Sequence, residues 1–171
     1  MALIFLRHPE PDCPPNWCYG QTDLLPKKWD IKELDSLIKE LALWSEYTIW
    51  SSPLLRCTQL ADSFKYPYQT DDRLMEMSFG NWENQSWDSL PRDATNAWAD
   101  NWKTKAVPGG ESWEDLVFRV SSFMDQINPA QNHLIIAHLG VIRAAKCILE
   151  EVDVDEVFRW KLGFLGHYIT P

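Results

Sequence analysis

Two uninterrupted apolar runs, Leu3-Ile4-Phe5-Leu6 and Leu134-Ile135-Ile136-Ala137, most narrow what this chain can fold into. Each is four residues long, a length that suits a buried strand and is too short for a helix. Tyr47-Thr48-Ile49-Trp50 is β-branched and aromatic and predicts another strand. Tyr68 to Thr70 predicts a short one, and residues 166–169 predict the last. Between them the apolar spacing turns helical. Ile31, Leu34, Leu37, Ile38 and Leu41 mark one amphipathic helix over 31–43, and Trp113, Leu116, Val117, Val120, Phe123 and Ile127 mark another over 112–127. Ser51-Ser52-Pro53 reads as a helix start, with Ser at the cap and Pro in the first position, and this helix runs to about Phe64. Gly140 opens a further helix to about Glu150. Strands alternating with such helices predict an α/β fold, a three-layer α/β/α sandwich around a central, mostly parallel sheet. At 171 residues the chain is one domain, 1–171.

Sixteen Lys and Arg against 25 Asp and Glu give a net charge of −9. That balance speaks against a nucleic acid or an anionic membrane as partner, because both reward basic surfaces. No apolar run approaches the roughly 20 residues of a membrane span. The N-terminus has neither a basic leader nor a small-residue cleavage site, so a soluble, cytoplasmic protein is expected. Cys13, Cys18, Cys57 and Cys147 show no CxxC spacing and read as reduced thiols rather than a disulfide framework or a zinc site.

The chemistry lies in the residues immediately after each strand. Arg7 and His8 come directly after the first apolar run. Ser51, Ser52 and, a helical turn on, Arg56 come after the second strand. His138, Leu139 and Gly140 come after Leu134–Ala137. In an open α/β sheet ligands bind at the carboxyl ends of the strands, beside helix N-termini. Two imidazoles and two guanidiniums are therefore expected to converge on one crevice and offer charge-assisted donors to an anion. Glu76, in a stretch too irregular for a helix, is the candidate general acid. Glu83 is the rival carboxylate and reads better as a surface residue. His133 stands at the opposite end of its strand and is expected to be structural; His167 has no motif around it.

These segments resemble a known family. Arg7-His8-Pro9-Glu10 is similar to the Arg-His-Gly-Glu signature of the histidine phosphatase (phosphoglycerate mutase-like) superfamily. Ser51 to Ala61 resembles its second motif, Glu76 with Phe79-Gly80-Asn81-Trp82-Glu83 its acid-bearing loop, Pro108 to Ser112 its Gly-Gly-Glu-Ser turn, and Ala137 to Arg143 the segment of its second histidine. The resemblance implies that His8 is the nucleophile and forms a phosphohistidine. It implies that Arg7, Arg56 and His138 hold the phosphoryl oxygens, that Glu76 protonates the leaving oxygen, and that no metal or other cofactor takes part. Two positions depart from the pattern: Pro9 replaces a Gly, removing an N–H, and Leu139 stands where relatives often have Gly.

Cys18-Tyr19-Gly20-Gln21-Thr22-Asp23, within an extended Pro-rich loop from Pro9 to Pro26, resembles the α-ribazole phosphatase branch of cobalamin nucleotide-loop assembly. That places Tyr19, Gly20, Gln21 and Leu139 at the substrate, a small-molecule phosphate ester. A broad-specificity small-molecule phosphatase, a mutase of sugar or glycerate phosphates, and a non-catalytic phosphate-binding module are the competing functions. Of ten tryptophans, Trp82, Trp87, Trp98, Trp102 and Trp113 fall in the segment expected to cover the crevice. Trp98 and Trp102, four apart, would share one helix face. Either these rings are core, or some of them line an aromatic pocket beside the phosphate.

Overall fold

A computed structural model describes residues 2–30, 32, 39 and 47–170. The helix expected over 31–43 lies outside the described residues. The central sheet is built from β1 (Leu3–Arg7), β3 (Tyr47–Ser51), β4 (Gln69–Thr70), β6 (Asn132–Ala137) and β7 (His167–Ile169), in the order β4-β3-β6-β1-β7. The first four in that order run parallel to one another, and the edge strand β7 is antiparallel to β1. The expected α/β architecture with a mostly parallel sheet is the observed one.

The two apolar runs are continuous because both faces of their strands are covered. Leu3, Phe5, Ile135 and Ala137 face one way, against α3 (Trp113–Gln126) and α4 (Leu139–Glu150), where Leu116, Val120, Phe123, Val141 and Ile142 are buried. Ile4, Leu6, Leu134 and Ile136 face the other way, against Cys57, Leu60 and Ala61 of α1 (Leu55–Ser63). Each Leu, Ile, Val or Phe among them contributes about 1.5–3 kcal/mol when fully buried. Ser112 caps α3 through a capping box with Asp115.

Three local expectations are corrected. α1 begins at Leu55, not at Pro53, with Leu54 in the cap position and no side-chain cap of its own. The reason is competition: Ser52 stays on the strand ladder, its N–H donating to Ile136 at 2.9 Å, with its hydroxyl beside His138. The free N–H of Leu55 is taken instead by Asp23 from the distant Pro-rich loop, at 2.7 Å. α4 starts one residue before Gly140. α2 (Arg92–Ala99) ends before Trp102, which sits on the following turn, so Trp98 and Trp102 do not share a helix face.

The polar, Trp-rich stretch forms short 3₁₀ turns, α2 and loops with their own small core of Cys18, Trp82, Leu90 and Val107. The Pro-rich loop is tied to this cover by a two-stranded ribbon, β2 (Trp17–Cys18) with β5 (Gln85–Ser86). That ribbon and the helix α5 (Val154–Arg159) have no counterpart in the sequence pattern. Both are too short for periodicity to announce them.

Candidate active site

β1, β3 and β6 end side by side, and their C-terminal residues meet. His8 and His138 have ring centroids 4.9 Å apart. His8, Arg56 and His138 are 1%, 0% and 0% exposed, so charge and hydrogen-bonding capacity are concentrated where water is excluded. The first departure from the family pattern is accommodated. The His8 N–H donates to Ala137 at 3.0 Å, continuing the ladder and keeping His8 extended, as a following proline requires.

The His8 Nδ1 lies 2.6 Å from the Pro9 carbonyl oxygen. A carbonyl only accepts, so in the neutral ring the proton resides on Nδ1 and the lone pair on Nε2. Burial, followed by the charge of Arg56, holds the His8 pKa well below the usual imidazole value, against the Pro9 bond that raises it. His138 is depressed in the same way, by burial first and then by Arg56 and His8.

Arg56 reaches back into the Pro-rich loop, with Nη1 donating to Thr22 at 2.8 Å and Nη2 to Gly20 at 2.7 Å. Arg7 Nη1 donates to Leu162 at 2.5 Å. Its guanidinium carbon stands 4.0 Å from the centre of the Phe164 ring, which also lies 5.7 Å from His8. Tyr19 covers Arg56 at 5.2 Å. Three buried nitrogens in this cluster have no partner: Arg7 Nε, Arg56 Nε and His138 Nδ1.

Glu76 is held from both sides. One carboxylate oxygen accepts the Met77 N–H at 2.9 Å, and the other accepts the Gly140 N–H at 3.2 Å, at the N-terminus of α4. A Cβ at position 140 would overlap the Glu76 carboxylate, so glycine is required for this close approach. Behind Glu76, Arg119 donates to the carbonyls of Arg73, Met75 and Glu76 at 2.7, 2.6 and 2.9 Å. It also pairs with both oxygens of Glu111, at 2.7 and 3.0 Å. Glu111 in turn accepts the Ser78 N–H at 2.8 Å.

Glu83 is a correction. It is half-buried, and it accepts from Gln21 N–H, Phe79 N–H and the Thr22 hydroxyl at 2.9, 2.9 and 2.7 Å. It knits the Pro-rich loop to the Glu76 segment. Gly20 and Gln21 belong to the same strut: the Gly20 carbonyl faces Arg56, and Gln21 Nε2 donates to the Glu76 carbonyl at 3.0 Å. Neither lines the adjoining cavity. His133 is structural, as expected. It is 1% exposed, with Nε2 2.9 Å from the Asn128 carbonyl and Nδ1 accepting from Trp50 Nε1 at 3.2 Å.

A cavity of about 710 Å³ opens beside this cluster, bounded on the strand-end side by Arg7, Tyr19, Glu76, Leu139 and Gly140. Trp98, Trp102, Trp113 and Phe158 form its far wall. Trp82 is buried in the cover, Trp87 faces a smaller groove, and Trp113 is both core and cavity wall. Arg143 also faces the cavity and is not among the residues the sequence singles out. It donates to the carbonyls of Phe158 and Trp160, both at 3.2 Å, and lies in the same segment as His138. Among the described residues, no group of three His, Cys, Asp or Glu is placed to hold a metal ion, and no helix is long and apolar enough to cross a membrane.

Comparison with known proteins bears on the family and the fold. A family model described as the Histidine phosphatase superfamily (branch 1) matches residues 3–169. A protein provisionally named phosphoserine phosphatase 2, from Hydrogenobacter thermophilus, is 33% identical over 127 residues, 69% of this chain and 63% of that one. Fructose-2,6-bisphosphatase of Saccharomyces cerevisiae is 28% identical over 128 residues, 73% of this chain but 28% of the yeast protein. The match thus spans less than two thirds of either relative. Among solved structures, the α-ribazole phosphatase of Shigella flexneri superposes with a TM-score of 0.85 at 23% identity, covering 99% of this chain and 89% of that chain. A mycobacterial glucosyl-3-phosphoglycerate phosphatase gives 0.77 at 23% identity, over 98% and 88%. At that identity the likeness speaks for the fold.

Proposed function

The chain belongs to the histidine phosphatase superfamily, and from that premise we propose that it is a metal-independent phosphomonoesterase working through a phosphohistidine at His8. The observation that carries this reading is the trio of unpartnered buried nitrogens, Arg7 Nε, Arg56 Nε and His138 Nδ1, gathered about an imidazole whose Nε2 lone pair is free. Buried donors without acceptors cost about 1–3 kcal/mol each. A phosphoryl group supplies the missing acceptors.

In the proposed reaction His8 Nε2 attacks phosphorus in line, and the bond to the ester oxygen breaks. Glu76, as the acid, gives that oxygen its proton. Arg7, Arg56 and His138 compensate the charge on the equatorial oxygens, which is most of what phosphoryl transfer needs. Water then attacks the phosphohistidine, Glu76 takes its proton, and inorganic phosphate leaves. The Phe164 and Tyr19 rings flank the two guanidiniums, at Arg7 and Arg56 respectively.

For the substrate we propose α-ribazole 5′-phosphate or adenosylcobalamin 5′-phosphate. A volume of about 710 Å³ walled by Tyr19, Trp98, Trp102, Trp113 and Phe158 suits a flat heteroaromatic leaving group better than glycerate or a hexose. Aromatic contacts contribute on the order of 1 kcal/mol each, so two or three give roughly 10²-fold preference. The test compares kcat/KM for α-ribazole 5′-phosphate, 3-phosphoglycerate and p-nitrophenyl phosphate. Tyr19→Ala should narrow the first ratio while sparing the nitrophenyl ester. His8→Ala should bring all three to background, and rapid acid-free quenching of the wild type with labelled substrate should show base-stable, acid-labile phosphate on protein. Turnover surviving in His8→Ala overturns the mechanism; equal or better small phosphates overturn the substrate.

A further inference from the structure

We infer that Ser52 is a positioning residue that holds His138 in the tautomer carrying its proton on Nδ1, so that the ring donates toward the group bound at His8. The identity of that group rests on the phosphatase reading; the tautomer does not.

The count of donors and acceptors around His138 decides its tautomer. His138 Nε2 lies 2.8 Å from Ser52 Oγ and 3.5 Å from Cys57 Sγ, and its Nδ1 is buried without a partner. Ser52 is fully buried, and its Oγ accepts the Leu54 N–H at 3.4 Å. If Nε2 carried the proton and donated to Ser52, the serine hydroxyl hydrogen would be left with the Cys57 sulfur, a far weaker acceptor than a ring nitrogen. Nδ1 would then be a bare lone pair turned toward an anion. One buried donor would be poorly satisfied, and the bare Nδ1 would repel the ligand. If Ser52 donates to Nε2, one group is left, the Nδ1–H, and the ligand satisfies it. Burial and the facing charges of Arg56, Arg7 and Arg119 keep the ring neutral, so a single proton must choose between the nitrogens. Ser52 does not cap α1: its Oγ takes the Leu54 N–H, and the Leu55 N–H goes to Asp23.

Long-range ¹H–¹⁵N correlation of uniformly labelled protein at neutral pH reads the tautomer directly, without any substitution. His138 Nε2 should appear as the unprotonated nitrogen and Nδ1 as the protonated one, before and after addition of inorganic phosphate. In Ser52→Ala the assignment should move toward protonated Nε2, and kcat should fall by about 10-fold or more with little change in KM, as when a catalytic imidazole takes the wrong tautomer. Cys57→Ala should leave the tautomer as it is. A protonated Nε2 in the wild type, or a tautomer that shifts in Cys57→Ala and not in Ser52→Ala, overturns the inference. A wild-type protein that shows the Nδ1–H tautomer yet cleaves no phosphate ester upholds it and overturns the phosphatase reading instead.

Discussion

Arg119 commits all five guanidinium N–H groups: one from Nε and one from Nη2 to Glu111, two from Nη1 to the Arg73 and Met75 carbonyls, and the last from Nη2 to the Glu76 carbonyl. It touches nothing that reacts, yet it fixes the backbone from which Glu76 projects. Arg119→Ala leaves three carbonyls without donors and the Glu111 carboxylate without its cation. Hydrogen bonds from a charged donor contribute about 1.5–3 kcal/mol each, and breaking a buried pair costs about 3–5 kcal/mol. The Arg119 side chain is 15% exposed and that of Glu111 21%, so water restores part of the loss and about 2–4 kcal/mol of stability is the expected cost. The effect on turnover should follow the leaving group. A placed general acid is worth about 10²–10⁴-fold, so an alkyl phosphate should lose about 10²-fold in kcat/KM. A nitrophenyl ester, whose leaving oxygen needs little protonation, should lose only a few-fold. The assay is a double-mutant cycle with Glu76→Gln, run on both substrates at a temperature where both variants are folded by circular dichroism. In the Glu76→Gln background, Arg119→Ala should add almost nothing on the alkyl ester. Equal losses on the two esters, or full additivity of the two substitutions, would refute the idea that Arg119 acts through Glu76.

Stability should fall as pH drops below about 6.5, because His8 and His138 stay neutral when buried while the unfolded chain takes up protons there; each adds up to about 1.4 kcal/mol per pH unit between its unfolded and its lowered folded pKa. Urea midpoints at pH 7.5, 6.0 and 5.0 measure this, and His138→Asn should flatten the slope; an unchanged slope contradicts the role of burial. Trp50→Phe removes the donor to His133 Nδ1 and should cost about 1–3 kcal/mol while leaving kcat/KM unaltered, since that bond lies at the opposite end of β6 from the site. Exhaustive EDTA treatment should leave turnover intact, because the arginines and histidines provide the charge compensation; a large loss restored by Mg²⁺ or Zn²⁺ would show the site to be misread.

The five strands of the central sheet and the convergence of Arg7, His8, Arg56 and His138 at its edge were legible in the sequence. Residue periodicity reports burial locally: Leu3-Ile4-Phe5-Leu6 is apolar at every position because both its faces are covered. Side chains just past such strands have nowhere to go but the common C-terminal edge. The partners of those side chains were not legible. Asp23 caps a helix 32 residues away, Arg119 holds carbonyls 43 to 46 residues away, and Ser52 meets His138 across 86 residues. No spacing rule covers such separations. They are set by how the Pro-rich loop, the Trp-rich cover and α3 close over the sheet edge. The same closure turned Glu83 from an expected surface carboxylate into the acceptor that joins two loops, and placed Trp98, Trp102 and Trp113 on a cavity wall while sending Trp82 into the core. Local pattern decides which residues are buried, because that depends on each residue and its neighbours in the chain. Which donor meets which acceptor depends on the packing of whole layers, and only the tertiary structure decides it.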